Sequence, residues 1–200
     1  MLVLGIDPGT ATTGYGVVRM ERNGLVSLVE CGVIRTKPRD ALPLRLREIH
    51  EGVVELIARH KPDVLSVEDI FYAKNVRTTV VLGHARGVIL LAGAMAGLVV
   101  HEYPPSEIKK AVAGTGMATK EQVQFMLTRL LRLKAVPQPS DAADGVAAAL
   151  TFAMGAKLPQ SADAMRAFRA DLEERNRQTL EAQLRAVSTT AAPGDSNLLI

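Results

Sequence analysis

Four acidic residues stand where carboxylates are seldom placed without a purpose. Asp7 ends the apolar run Leu2-Val3-Leu4-Gly5-Ile6 and is followed by Pro8-Gly9-Thr10, a turn that leaves its side chain at the carboxyl edge of a strand. Glu68 ends a second apolar run, Val64-Leu65-Ser66-Val67, in the same way. If the two strands are neighbours, both carboxylates emerge side by side, and adjacent anions call for a cation. Asp141 and Asp144 lie three apart in Ser140-Asp141-Ala142-Ala143-Asp144, so a helix there presents both on one face with only small alanines between them. Carboxylates converging from two strand ends and a helix suit hard, oxygen-seeking ions such as Mg²⁺. The matching chemistry is phosphodiester hydrolysis, in which one ion activates a water and a second, roughly 4 Å away, stabilises the leaving oxygen. Asp7, the central acid, would bridge both ions. Each acid alone has a plainer reading, since first-turn acids complement a helix dipole and Asp before Pro-Gly often only forms a turn. Asp69 should point to the other side of its strand as a solvated or capping acid.

The elements that must carry these acids are legible in outline. Residues 2–6, 15–20 and 25–34 are strand-like runs joined by tight turns, which predicts an antiparallel meander. Leu42, Leu46, Ile49, Val53, Leu56 and Ile57 recur at steps of three and four, one face of a helix that Pro62 closes. Residues 64–67 form a buried strand delivering Glu68, residues 78–97 a small-residue-rich helix packed on a sheet, and Val99–Tyr103 a fifth strand. Pro104-Pro105-Ser106 starts a short helix that Gly114-Thr115-Gly116 breaks. Thr119 with Gln122 is a capping box opening a helix to Leu133, and Ser140 caps a last helix to about Met154. This order predicts an α/β fold with a mixed five-stranded sheet, antiparallel meander plus parallel strands, flanked by helices. Beyond Pro159, the residues Met165, Phe168, Leu172, Leu180, Leu184 and Val187 suggest a charged amphipathic helix, with a small, polar and disordered end. The expected division is therefore a folded domain over 1–158 and a C-terminal charged helix and tail over 159–200.

Composition narrows the function classes. Of 200 residues, 48% are hydrophobic, enough for one substantial core. Lys and Arg number 24 against 21 Asp and Glu, and residues 1–160 hold 19 basic and 15 acidic groups, so the folded body carries the basic excess a nucleic-acid surface needs. Cys31 has no partner for an intramolecular disulfide, and the first residues lack the basic start and cleavage site of a signal peptide, so the chain reads as cytoplasmic. Residues 76–100 are broken by His84, Arg86 and glycines and read as a buried helix rather than a membrane span. His50, His60, His84 and His101 are scattered without ligand spacing and read as structural or solvated, and Cys31 as a buried small hydrophobe.

These blocks together resemble the RuvC family of Holliday junction resolvases. The resemblance runs through Gly5-Ile6-Asp7-Pro8-Gly9-Thr10, Thr13-Gly14-Tyr15-Gly16, Val67-Glu68-Asp69-Ile70-Phe71, Ala73-Lys74-Asn75, Gly83-His84-Ala85-Arg86-Gly87 and Asp141-Ala142-Ala143-Asp144, over about residues 1–155. It implies an RNase H-like fold, a homodimer, paired Mg²⁺-dependent nicking of four-way junction DNA with Mn²⁺ as a substitute, and the branch-migration partners RuvA and RuvB. It makes Asp7, Glu68, Asp141 and Asp144 the catalytic, metal-binding set, and places Lys109 and Lys120 near phosphates, where ammonium groups stabilise developing charge. Phe71 matches a family aromatic that stacks on an unpaired or distorted base, with Lys74 and Arg77 as phosphate contacts and Tyr72 undecided. The long segment after Pro159 departs from the family.

Three other readings compete. Asp7-Pro8-Gly9-Thr10 also resembles the phosphate-binding turn of actin-like ATPases and sugar kinases, but those need a second such lobe, for which this chain has no room. A scaffold that binds junctions without cutting would be expected to lack an acid, and none is missing. A nuclease of the same fold acting on RNA in hybrids fits the acids equally well, whereas the aromatic and basic loop favours junctions.

Overall fold

The structure, a computed structural model, describes residues 1–69 and 76–156 together with residues 167, 170, 171, 174, 177, 178, 181, 182 and 185. Strands β1 (Leu2–Asp7), β2 (Thr12–Met20) and β3 (Val26–Arg35) form the expected meander, followed by α1 (Leu42–His60), β4 (Val64–Glu68), α2 (Val76–Met95) and β5 (Val99–Tyr103). Helices α3 (Pro105–Ala113), α4 (Lys120–Leu130) and α5 (Ser140–Gly155) complete the domain. The sheet order is β3-β2-β1-β4-β5, antiparallel across β3-β2-β1 and parallel across β1-β4-β5. Ile6 pairs with Val67 in the parallel β1-β4 ladder, so Asp7 and Glu68 are the next residues on adjacent strands.

The two faces of the sheet are packed differently. On one face lies α5, whose residues from Ala142 to Ala153 are almost wholly buried. Its backbone rests directly on the strands because glycines face it. A Cβ added at Gly14 would lie 1.8 Å from the carbonyl oxygen of Asp141, and one at Gly145 would lie 2.5 Å from Tyr15 Cα. Helices α3 and α4 cover the rest of this face through Ile108, Val112, Val123 and Leu127. On the other face, α1 packs through the larger Ile49, Val53 and Leu56, and α2 through Ile89 beside the small Ala85, Ala92 and Gly93, against Leu4, Ile6, Leu65 and Val67.

Local signals explain the end of α1 and the start of α4. Lys61 takes a left-handed conformation after α1 (φ 47°) and donates its N–H to the Ile57 carbonyl, with Arg59 and His60 in the last turn. Thr119 and Gln122 form the expected reciprocal capping box before α4. Three expectations need correction. Helix α4 ends at Leu130, not Leu133, because Arg132 turns left-handed (φ 53°). Ser140 is the first residue of α5 rather than its cap: extended Pro139 occupies the cap position, and its carbonyl accepts from Ala142 N at 2.9 Å. Helix α2 is buried along one stripe only, Ala85, Ile89, Ala92 and Gly93, while Val76 and Met95 are 76% and 74% exposed and Val80 and Leu91 are also open. This helix is apolar on nearly every side, so its periodicity cannot say which side the core will take. It is also long and apolar enough to cross a membrane by length and composition.

Cys31, on edge strand β3, is only partly buried against the α5-side core. In the segment 159–200, the described positions between 167 and 185 are helical, with Glu174 accepting from Arg177 at 2.6 Å. The rest of that segment lies outside the described residues.

Candidate active site

Three elements deliver the four acids to one place. Strands β1 and β4 end side by side at Asp7 and Glu68. Asp141 and Asp144 come from the first turns of α5, fixed against β2 by the glycine contacts already described. Asp7, Asp141 and Asp144 offer carboxylate oxygens that all lie within 4.8 Å of one another. Glu68 lines the same cleft of about 260 Å³ with Asp7, Asp144, Lys109 and Lys120. A larger cleft of about 530 Å³, lined by His101, Tyr103, Glu107 and Phe152 among others, lies at the far end of α5 and contains a single acid.

Burial and mutual repulsion disfavour the charged forms of these acids. Burial, reinforced by Glu68, Asp144 and Asp141, pushes Asp7 up to about 8 against the opposing field of Lys120. Burial and Asp144 raise Glu68 to about 7, with Lys120 and Lys109 opposing. Asp144 is raised by burial, with Asp141 adding to it, although the hydrogen bond and charge of Lys120 work the other way. Lys120 donates from Nζ to Asp144 Oδ2 at 2.6 Å. Burial disfavours its charge, but that bond and the fields of Asp144, Asp141 and Asp7 prevail and raise it. Anions held together at this cost fit a divalent cation, since carboxylate oxygens are the ligands such ions prefer.

Lys109, half-buried on α3, and Lys120, on the first turn of α4, both line the cleft. Arg77 sits in the exposed first turn of α2 and is not among the cleft-lining residues. Phe71, Tyr72 and Lys74 lie outside the described residues. Sequence reasoning missed two supporting groups. Ser66 Oγ, buried in β4, donates to the Ala148 carbonyl at 2.7 Å and ties β4 to α5; a serine in an otherwise apolar strand run was its signal. Arg86, in Gly83-His84-Ala85-Arg86-Gly87, pairs with Asp69 and Glu102, so Asp69, facing away from the cleft and 46% exposed, is also an ion-pair partner.

A mixed five-stranded sheet that gathers acids from two strand ends and an abutting helix defines the RNase H-like class of metal-dependent nucleases. The chain belongs to the RuvC family: residues 3–152 match the family model described as crossover junction endodeoxyribonuclease RuvC. It is 50% identical over 153 residues to the crossover junction endodeoxyribonuclease RuvC of Pelotomaculum thermopropionicum, covering 76% of this chain and 93% of that protein. The same enzyme of Desulforamulus reducens is 46% identical over 153 residues, at 76% and 93% coverage. The structure of Thermus thermophilus RuvC in complex with Holliday junction substrate superimposes with a TM-score of 0.74 at 37% identity, covering 80% of this chain and 97% of that one. The chain is thus a nuclease with a divalent-metal requirement.

Proposed function

We propose that this protein resolves Holliday junctions by paired, symmetric nicking in recombination and repair. The observation that carries this reading is the convergence of Asp7, Asp141 and Asp144 within 4.8 Å, with Glu68 in the same cleft, in a member of a junction-nuclease family. Asp7, Glu68, Asp141 and Asp144 are the catalytic, metal-holding acids. Two Mg²⁺ ions, or Mn²⁺ in their place, would supply nucleophile activation and leaving-group stabilisation there. Asp7, flanked by the other acids, would be the central ligand, and because Asp7 and Glu68 hold their protons tightly, an arriving cation must displace them and binds better as pH rises.

Lys109 and Lys120 line one side of the cleft, where they neutralise the scissile and neighbouring phosphates. Phe71 stacks on a distorted base, while Lys74 and Arg77 hold adjacent phosphates. The DNA partner is a four-way junction. Symmetric nicking needs two active sites, and the exposed apolar side of α2, with Val80, Leu91 and Met95, supports a homodimer formed through that surface. RuvA and RuvB are the proposed branch-migration partners, and the protein acts in the cytoplasm. Residues 1–158 form the nuclease domain, and residues 159–200 a charged helix and tail appended to it.

The test is cleavage of a synthetic four-way junction beside a linear duplex of matching sequence, each with Mg²⁺ and with chelator. Junction-selective, metal-dependent paired nicks are expected. Junctions bound but uncut across metals and sequences would replace this reading with a scaffold role.

A further inference from the structure

Behind the acid cleft, on the opposite face of the sheet, a second set of charges closes on the end of β4. Side chains alternate along a strand, so Glu68 faces the cleft while Asp69, the next residue, faces α2. Glu102 of β5 pairs with Val67 and shares that rear face. Arg86, on α2, reaches both acids: its Nε lies 3.2 Å from Asp69 Oδ1, and its Nη2 pairs with Glu102 Oε2. The Nε approach is a charge contact rather than a hydrogen bond, because the N–H is off line. Asp69 N donates to the Tyr103 carbonyl at 2.8 Å, adding one rung to the β4-β5 ladder beyond Glu68. The Arg86 side chain is 26% exposed and those of Asp69 and Glu102 are 46% and 38%, so solvent screens these pairs in part and the clamp acts through its geometry. A guanidinium is the cation whose planar fork can hold two carboxylates at once.

We infer that Arg86 is a positioning residue for Glu68. It clamps the ends of β4 and β5 from behind, so that the carboxylate on the other face keeps its place beside Asp7. The clamp sits where β4 leaves the sheet, the point at which a strand is least restrained by its neighbours. The inference rests on the reading of Glu68 as a metal-holding acid.

The test compares full-length Arg86→Gln, Arg86→Lys and Glu68→Gln proteins with the parent. In chelator, Arg86→Gln is expected to bind a four-way junction within about twofold of the parent, because Arg86 lies off the cleft and holds acids rather than phosphates. Its single-turnover cleavage at saturating protein should be about tenfold slower, and Ca²⁺ binding measured by calorimetry should weaken by about the same factor. Arg86→Lys, which retains one of the two pairs, should recover part of the rate.

A folded Arg86→Gln with parental rate and parental Ca²⁺ affinity overturns the inference, as does a loss wholly accounted for by weaker junction binding. If Arg86→Gln does not fold, Asp69→Asn and Glu102→Gln each remove one leg of the clamp. Either should show the same split between binding and rate, and parental rates in both overturn the clamp. Cleavage surviving in Glu68→Gln would remove the site assignment itself. An inactive Glu68→Gln beside a fully active Arg86→Gln removes only the role of Arg86.

Discussion

The two faces of the central sheet solve the same packing problem by opposite means. On the α5 face, glycines let the backbone of α5 sit on the backbone of β1 and β2 at several points, with side chains such as Val18 and Leu150 packed around those contacts. On the α1-α2 face, Leu, Ile and Val side chains from α1 and the strands fill most of the gap, α2 adds Ile89 among small residues, and α2 still presents a row of apolar residues to solvent. Backbone-on-backbone contact leaves little room for a helix to drift, and this is the helix that carries Asp141 and Asp144. Side-chain packing is more forgiving, and the face that uses it holds none of the four acids. Positional accuracy is concentrated where carboxylates must meet, and adhesive surface is concentrated on the opposite side.

The most severe way to break the first face is Asp7→Asn. Cleavage should fall about a thousandfold or more, since several kcal/mol of transition-state stabilisation depends on the metal site, while junction binding measured in chelator is retained. An active Asp7→Asn protein would take Asp7 out of the mechanism.

The contrast itself is sharpened by one substitution on each face. Ile89→Ala should cost about 3 kcal/mol of unfolding free energy through lost burial and a cavity, yet leave cleavage near parental at a temperature where the protein stays folded. Gly145→Ala should cost about 2 kcal/mol by overpacking against Tyr15 and also slow cleavage about tenfold, because α5 must shift and take its acids with it. Denaturant melts beside single-turnover rates decide it, and equal rates in the two variants would dissolve the distinction.

A smaller effect should appear in the pH dependence of stability. Asp7 is raised from 3.8 to about 8 and Glu68 from 4.5 to about 7, so between those limits the metal-free native state binds more protons than the unfolded chain. Its stability should therefore fall as pH rises from about 4 to 8, and be lowest above it. Divalent ions bind the deprotonated acids, so the thermal shift they produce should grow over the same range. Melting curves at pH 5 and pH 8, with Mg²⁺ and with chelator, test both signs.

The smallest expected effect on the folded monomer is on the other face. Leu91→Ser, on the open side of α2, should change unfolding free energy by less than about 0.5 kcal/mol and yet abolish self-association in sedimentation experiments. Unchanged association would move the dimer surface elsewhere.

What could be read in the sequence was what neighbouring residues decide among themselves. An apolar run ended by an acid located Asp7 and Glu68, a spacing of three located Asp141 and Asp144, and the Thr119-Gln122 pair marked the start of α4. Features that depend on which distant elements meet were not legible. The bond from Lys120 to Asp144 joins α4 to α5, and the bridge from Arg86 to Asp69 and Glu102 joins α2 to two strands. No local pattern encodes either. The exposure of α2 escaped for a related reason, because an all-round apolar helix looks the same whether it meets a core, a second copy of the chain, or both.

The parallel pairing of Ile6 with Val67 has one more implication. The spacing between Asp7 and Glu68 is set by rungs of backbone hydrogen bonds and not by anything the two side chains do to each other. The sheet therefore works as a ruler, indifferent to many changes of letter along β1 and β4 but intolerant of changes of length. One residue inserted or removed within β4 would send Glu68 to the rear face and bring a neighbour forward in its place. In this part of the chain, counting matters more than spelling.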